Sequence, residues 1–335
     1  MAKLFFFLTT LFFSFTISAQ QIELLSENHQ TSLRGLCVVN DNIVWVSGNN
    51  GQVGKSVDAG KTWQWITVKN FEKSDFRDIE AFDEKKALIM AVSEPAYILK
   101  TVDGGEHWNV VFTDSTRGMF LDAMDFGDDA HGVVIGDPIN GKIFLAHTET
   151  QGDSWTIDKE TFRMADGETF FAASGTNVKM FWDKKVNLGD LFLVTGGKKS
   201  RIFANDTPHD LNIIHGATSQ GANSIAIDTA TGKFIIVGGD FSKDSISEDN
   251  CILFSVQRNA FEKPLKPPYG YKSCVEFITS TRVISCGTSG VDISENGGKN
   301  WRHISPLSFH VCKKGKTGKN VFLAGTNGKI GRLNW

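Results

Sequence analysis

From Gln21 onward, apolar side chains come in short runs that either alternate with polar residues or end abruptly in small ones. Seven runs are of the second kind: Val44–Gly48, Leu88–Ser93, Val133–Gly136, Leu191–Gly197, Phe234–Gly239, Val283–Gly287 and Val321–Gly325. Runs of this length, rich in β-branched and aromatic residues and bounded by Gly, predict buried strands. An alternating strand precedes each one: Leu33–Val39, Phe76–Phe82, Phe120–Phe126, Thr169–Ala173, Ser224–Ile227, Cys274–Ile278 and Phe309–Cys312. Several are followed by a third strand, as at Gly51–Val57 and Ile98–Val102. No stretch shows a convincing amphipathic helical period, so the chain reads as all-β and built from seven copies of one unit.

The third strand leads into a recurring turn. Ser56-Val57-Asp58-Ala59-Gly60-Lys61-Thr62-Trp63 returns as Thr101-Val102-Asp103-Gly104-Gly105-Glu106-His107-Trp108 and, weakened, as Ser294-Glu295-Asn296-Gly297-Gly298-Lys299-Asn300-Trp301. A degenerate copy ends at Trp155 and carries Thr150 where the Asp belongs. In such a turn the Asp accepts backbone N–H groups, the Gly supplies a positive φ and the Trp seals the hairpin. The pattern resembles the Asp-box (BNR) repeat, which implies structural roles for Ser56, Asp58, Gly60, Trp63, Thr101, Asp103, Gly105, Trp108, Trp155, Ser294, Gly298 and Trp301. A Trp-to-Trp spacing of roughly 45 residues is a blade period, and seven units predict a seven-bladed β-propeller.

The two chain ends explain each other. The last unit stops before an outer strand, while Gln21–Ser26 stands where the outer strand of a preceding blade belongs. The N-terminal strand is expected to complete the last blade and remove the exposed sheet edges. Units four and five break the pattern: residues 181–190 read as an insertion, no box follows Ser200–Phe203, and Ser242–Asn250 reads as a polar loop. Pro264, Pro267 and Pro268 mark a rigid connector, so one domain is expected over residues 20–335.

Residues 1–19 read as a secretory signal, with Lys3, the apolar run Leu4–Phe15 and a small-residue site ending at Ala19. The run is too short to span a bilayer, and the expectation is an exported monomer, periplasmic or secreted, without stable membrane insertion. The formal net charge is −3, from 35 basic and 38 acidic residues. Without long basic runs this gives no footprint for nucleic acid or an anionic membrane, and Lys313-Lys314-Gly315-Lys316 reads as a solvated loop. The five cysteines show no metal-binding spacing; Cys274 and Cys286 lie on strands expected to pair, where one disulfide has room to form. No P-loop, HExxH, GxSxG or dinucleotide fingerprint appears, and the eight histidines are scattered, so neither cofactor nor metal is expected.

Candidate chemistry sits on the inner strands and the loops beside them. In the strand alignment Arg34 shares a position with Arg77, and Asp78 shares the next with Asp122. With Glu80, Asp125 and Glu168 these groups are expected to meet around one central funnel, either as a self-neutralising ring or as a ligand site. Glu94, Asp137 and Asp240 follow the second strands of their blades and should rim the same face, although each is also ordinary turn chemistry.

Several segments together resemble a known group: Leu33-Arg34-Gly35-Leu36, Asp75-Phe76-Arg77-Asp78, Ser93-Glu94-Pro95-Ala96, Phe120-Leu121-Asp122-Ala123-Met124, Gly136-Asp137-Pro138, Gly167 to Thr176, Thr195-Gly196-Gly197 with Ser200-Arg201-Ile202-Phe203, and Val237-Gly238-Gly239-Asp240. In order, and over nearly the whole mature chain, they are similar to the exported bacterial propellers related to the photosystem II stability/assembly factor family. The resemblance implies a seven-bladed scaffold that binds a protein partner. Its non-photosynthetic branch often carries an oxidoreductase label, for which these residues supply no redox cofactor site. The Asp-boxes also resemble those of sialidases, which use an Arg triad and a Tyr nucleophile with a Glu partner. Arg34, Arg77 and Arg201 with Tyr269 or Tyr271 are the residues at hand, but Leu33-Arg34-Gly35-Leu36 stands where such enzymes carry Phe/Tyr-Arg-Ile-Pro. The leading expectation is therefore a non-catalytic binding scaffold using the charged funnel. The alternative is a glycan-active hydrolase using two of Asp78, Asp122, Asp137 and Glu168, held about 5–10 Å apart.

Overall fold

The computed structural model describes residues 21–334; the signal segment expected over residues 1–19 lies outside the described residues, as do Gln20 and Trp335. The strands form seven antiparallel sheets, and the chain is a seven-bladed β-propeller. In blade 1, Leu33–Val38, Val44–Gly48, Gln52–Ser56 and Gln64–Thr67 pair in chain order from the axis to the rim. Blades 2, 3, 5 and 6 repeat this with inner strands Phe76–Ala81, Leu121–Phe126, Gln220–Asp228 and Cys274–Phe277. Second strands such as Ala87–Ala91 are buried on both faces, whereas the rim strand Asn109–Asp114 is largely exposed. That difference explains why the second strands read as continuous apolar runs.

Blade 7 draws on both ends of the chain. Val311–Lys314, Val321–Ala324 and Ile330–Asn334 are completed by Gln21–Ser26, with Gln21 opposite Asn334 and Leu24 opposite Gly331. Arg332 Nη2 clasps Glu23 Oε2 at 2.7 Å across this closure. Among the described residues the helical content is one 3₁₀ turn, Thr326–Gly328, and no helix is long and apolar enough to cross a membrane.

The recurring turns lock one blade to the next. Ser56 Oγ accepts from Gly60 N–H (2.9 Å), Asp58 Oδ1 accepts from Thr62 N–H (2.9 Å), and Trp63 Nε1 donates to Gly60 O (3.0 Å). Gly60 has φ +81°, and a Cβ there would sit 2.6 Å from Leu25 Cδ1 of blade 7, so backbone and packing both demand glycine. Gly105, Gly152 and Gly298 press in the same way on Ile66, Leu88 and Ile235 of the preceding blades. In the degenerate copies Thr150 Oγ1 accepts from Ser154 N–H (3.0 Å) and Asn296 Oδ1 from Asn300 N–H (2.9 Å), each replacing a carboxylate oxygen. Basic side chains add staples: Lys55 Nζ donates to Gly104 O and Lys100 Nζ to Gln151 O, both at 2.8 Å, each onto the next blade's turn.

Blade 4 departs from the expected layout. Its inner hairpin is Val178–Asp183 with Leu188–Val194, and Phe181 pairs with Asp190, so residues 181–190 are blade and not insertion. The expected inner strand Thr169–Ala173 is not part of that blade. Only Glu168–Thr169 is extended, paired to Gly196–Gly197 at the edge of the blade 5 sheet. The cause is burial: Lys179 to Trp182 are all half-buried, so no in–out alternation marks this strand, while Phe170-Phe171-Ala172-Ala173 imitates one. All five cysteines are buried free thiols; Cys274 and Cys286 are register partners, but no disulfide joins them.

Candidate functional site

Four inner strands slip by one residue at the same place: between Leu33 and Gly35, Phe76 and Asp78, Leu121 and Ala123, and Ala222 and Ser224. A bulge of this kind drops one residue from the ladder and re-aims its side chain. The residues dropped are Arg34, Arg77, Asp122 and Asn223. By register against the second strands, Ser273 and His310 hold the equivalent position in blades 6 and 7. Polar residues thus mark the start of the inner strand in six of the blades. The expected alignment of Arg34 with Arg77 is correct, but Asp122 belongs with these arginines, and Asp78 with Gly35 and Ala123. The shift of one position arises because Leu121, and not Phe120, is the counterpart of Phe76.

Residues 170–177, the segment that left blade 4, cross the axis. Ala173 O accepts from Arg34 Nη1 (3.3 Å) and Ala172 O from Arg77 Nη1 (3.5 Å), tying the segment to blades 1 and 2. Ser174 Oγ donates to Ser273 O and Thr176 Oγ1 to Ser224 Oγ, both at 2.7 Å, tying it to blades 6 and 5. Ala172 and Ala173 line one axial cavity of about 370 Å³, and Gly175 lines another of about 580 Å³. The segment is therefore a plug, and the single funnel expected from the sequence is two separate mouths.

The larger mouth neutralises itself. Asp78, Glu80, Asp125, Lys179, Glu276 and Lys313 line it together with Lys316. Lys316 pairs with Glu80, and Lys179 Nζ lies 3.2 Å from Asp125 Oδ1. Burial opposes the charge on Lys313, but Glu276 and Asp125 outweigh it and hold its pKa above the ordinary lysine value. Burial raises Asp78 well above the usual carboxylate range even though Met124 N–H (2.8 Å) and Ile79 N–H (2.9 Å) donate to it. Lys313-Lys314-Gly315-Lys316 is thus no solvated loop; two of its lysines complete this ring.

The smaller mouth is not neutralised. Arg34 and Arg77 line it with Phe171, Phe241, Tyr271 and His310. No carboxylate lines it; from outside the lining Asp75 Oδ2 accepts from Arg77 Nε at 2.7 Å, and the buried Asp122 lies near Arg77. Burial and the neighbouring Arg77 charge depress the pKa of Arg34. Phe241 packs edge-on against Phe171 (5.8 Å) and Tyr271 (6.2 Å), yet remains 49% exposed as an aromatic lip. Tyr271 OH donates to Asn223 Oδ1 at 2.8 Å, and burial raises its pKa.

His310 gives this mouth a pH signature. Its Nδ1 lies 3.0 Å from Leu33 O, and burial followed by the Arg34 charge lowers its pKa from 6.5 to about 4. Between those values the unfolded chain binds the proton and the folded chain does not, so stability falls as pH drops through this window. Melting temperature followed from pH 7 to pH 4 should show this slope. His310→Gln should flatten it, and an unchanged slope in that variant refutes the assignment.

The remaining predicted residues do not join either mouth. Glu168 is gripped in two-pronged fashion by Arg201, with Nε 2.9 Å from Oε1, and also accepts from Thr195 Oγ1 (2.6 Å) and Ala165 N–H (2.8 Å). This is a structural ion pair. Asp122 is buried with neither oxygen hydrogen-bonded; burial and nearby Asp137 raise its pKa against the pull of Arg77. Asp137 accepts from Thr169 Oγ1 and Phe170 N–H, Glu94 from Gly118 N–H, and Asp240 from Ser242 and Gln220. Those bonds outweigh burial at Asp240 and hold its pKa down to about 2. The three rim acids fasten loops.

Arg201, held by Glu168, is absent from the cavity that Arg34 and Arg77 line, so the sialidase triad does not share one mouth; of the candidate carboxylates Asp78 lines the larger mouth, Asp122 and Asp137 are neighbours outside both mouths, and Glu168 is engaged by Arg201. The one cluster of three metal-ligand types found among the described residues, Asp103, Glu106 and His107, is exposed, and its Asp and His are already bonded to each other. Sequence reasoning missed His310, Asn223 and the aromatics Phe171 and Phe241. The bulge position, counted back from each second strand's terminal small residue, would have found the first two.

No protein-family profile matches the chain, and no curated protein matches it. Solved structures do. YCF48 bound to a D1 peptide superposes with a TM-score of 0.65 at 15% identity, covering 96% of this chain and 98% of that one. YCF48 from Cyanidioschyzon merolae gives 0.64 at 16%, covering 95% and 99%. The WD40 β-propeller domain of Doa1 gives 0.63 at 13%, covering 95% and 98%. The likeness is one of fold.

Proposed function

We propose that this protein is an exported, non-catalytic propeller that holds a segment of a partner protein at the mouth lined by Arg34 and Arg77. One observation carries the reading: two half-buried guanidiniums line a cavity that has no carboxylate in its lining, and of the two only Arg77 is in an ion pair, with Asp75 outside that lining. Like charges withdrawn from water are unfavourable until an anion arrives, so a carboxylate on the partner supplies what the mouth lacks. The aromatic lip gives that partner apolar area beside the charge, a combination common at binding hot spots. The peptide carried by the first YCF48 structure supports a peptide as the ligand class for a ring of this shape. Export rests on the signal-like residues 1–19, and the glycine–tryptophan turns act as Asp-boxes in holding the ring. Arg34, Arg77 and the aromatic lip are then the working part of the charged funnel, while Asp78, Glu80, Glu94, Asp122, Asp137, Glu168, Arg201 and Asp240 build the scaffold.

A displayed random-peptide library tests this. Enriched peptides should carry Asp, Glu or a free C-terminus next to apolar residues, and Arg34→Ala/Arg77→Ala should weaken them by about 30-fold or more. No enrichment, or equal binding by the double variant, overturns the reading. Turnover on a glycan panel would favour the hydrolase instead.

A further inference from the structure

A space that four blades fill with their own turn is left open in a fifth. Register sets the correspondence. Val44 opposite Ser56, Ala87 opposite Thr101, Gly132 opposite Thr148 and Val283 opposite Ser294 each lie four residues before the small residue that ends the second strand, and each begins a box turn. In those blades the turn lays its glycine on the preceding blade, and its Trp joins the core shared with that blade; Trp301 is 2% exposed. In blade 5, counting back from Gly238, the same level is held by Phe234, Phe254 and Phe261. The hairpin there runs one pair farther, to Ser255 opposite Ala260, before it turns. No indole-bearing turn folds down onto blade 4.

What remains is a cavity of about 400 Å³ between the two blades, walled by Phe192, Ile202 and Ala204 on one side and Phe234, Phe254 and Phe261 on the other. Its rings form a continuous series, edge-to-face between Phe192 and Phe234 (5.0 Å) and between Phe234 and Phe254 (5.5 Å), and tilted between Phe254 and Phe261 (4.8 Å). No Lys, Arg, Asp or Glu lines it; the polar groups are His209 and Asn259.

We propose that this cavity is a binding site for a small neutral aromatic molecule of the indole class. The chain itself shows what the space takes, because an indole occupies the corresponding level in the four box-bearing blades. Aromatic walls favour a planar ring in edge-to-face contact, and His209 or Asn259 can accept a ring N–H. A smaller apolar cavity, on the order of 150 Å³, already suffices to hold benzene in a protein interior. With no cation in the lining, an anionic ring such as indole-3-acetate loses solvation without gaining a partner and is rejected. The site lies between blades 4 and 5 and shares no lining residue with the axial mouths, so it is independent of the peptide reading above.

Ligand-detected NMR on the whole protein with free indole tests it. Saturable binding is expected, weaker by about tenfold or more for indole-3-acetate. Ala204→Trp fills the space from blade 4 and Val256→Trp from the blade 5 turn; each should weaken indole by about tenfold or more while the thermal melt stays cooperative. Should one variant fail to fold, the other decides. Absence of saturable binding, equal affinity for indole-3-acetate, or undiminished binding in a folded filled variant overturns the proposal.

Discussion

Exchanging Lys272 for Met should lower stability to chemical denaturation by about 3–5 kcal/mol. Lys272 Nζ lies 2.6 Å from Asp292 Oδ2, and the two side chains are 0% and 2% exposed. The ammonium also donates to Ser289 Oγ and Gly290 O, both at 2.9 Å, while Asp292 Oδ1 accepts from Tyr269 N–H at 3.1 Å. Removing the lysine leaves a carboxylate away from water with His303 Nδ1, at 3.3 Å, as its remaining side-chain partner, which costs far more than the pair was worth against an apolar core. Lys272→Met/Asp292→Leu should therefore recover much of the loss. A loss below about 1 kcal/mol in the single variant contradicts the buried-pair assignment. Because Asp292 anchors Tyr269 and Lys272 adjoins Tyr271, the single variant should also loosen the aromatic wall of the smaller mouth and weaken peptide binding there.

A chain that begins at Glu27, lacking Gln21–Ser26, should lose cooperative melting and associate through blade 7. The missing strand supplies Ile22 and Leu25 to the core around Phe322 and Val44, and Leu25 is the floor on which the Gly60 turn rests. Two half-buried aliphatic side chains are worth about 3 kcal/mol together, before the Glu23–Arg332 contact is counted. The strand also covers the N–H and C=O groups of Ile330–Asn334, which would otherwise form an edge ready to pair with another molecule. Light scattering and circular dichroism of the shortened chain check this. A monomer with an unchanged melt would show that ring closure contributes little.

The parts of the fold legible in the sequence were those where geometry forces a residue type. A positive φ with a neighbouring blade pressed against it leaves glycine alone at Gly60 and Gly298, and a buried second strand leaves only apolar residues at Ala87–Ala91. Blade 4 was illegible because Lys179 to Trp182, within the strand Val178–Asp183, are all half-buried, so the pattern carries no alternation. The site was half legible for a related reason. Arg34 and Arg77 stood out as equivalent, but the register of an inner strand is invisible until its partner strand is known, and that register moved Asp122 from Asp78's level to theirs. The plug was hidden most completely, since Phe170 to Ala173 have strand-like composition and are held across the axis by backbone carbonyls that any residue could supply.

The overlapping turns give the ring a direction of assembly. Gly105 settles on blade 1, Gly152 on blade 2 and Gly298 on blade 5, so each of these fastenings needs only a portion of chain that has already been synthesised. Gly60 is the exception. Its seat is made of Leu25 and Phe322, separated by nearly the full length of the polypeptide, so the first clasp to be made is the last that can shut.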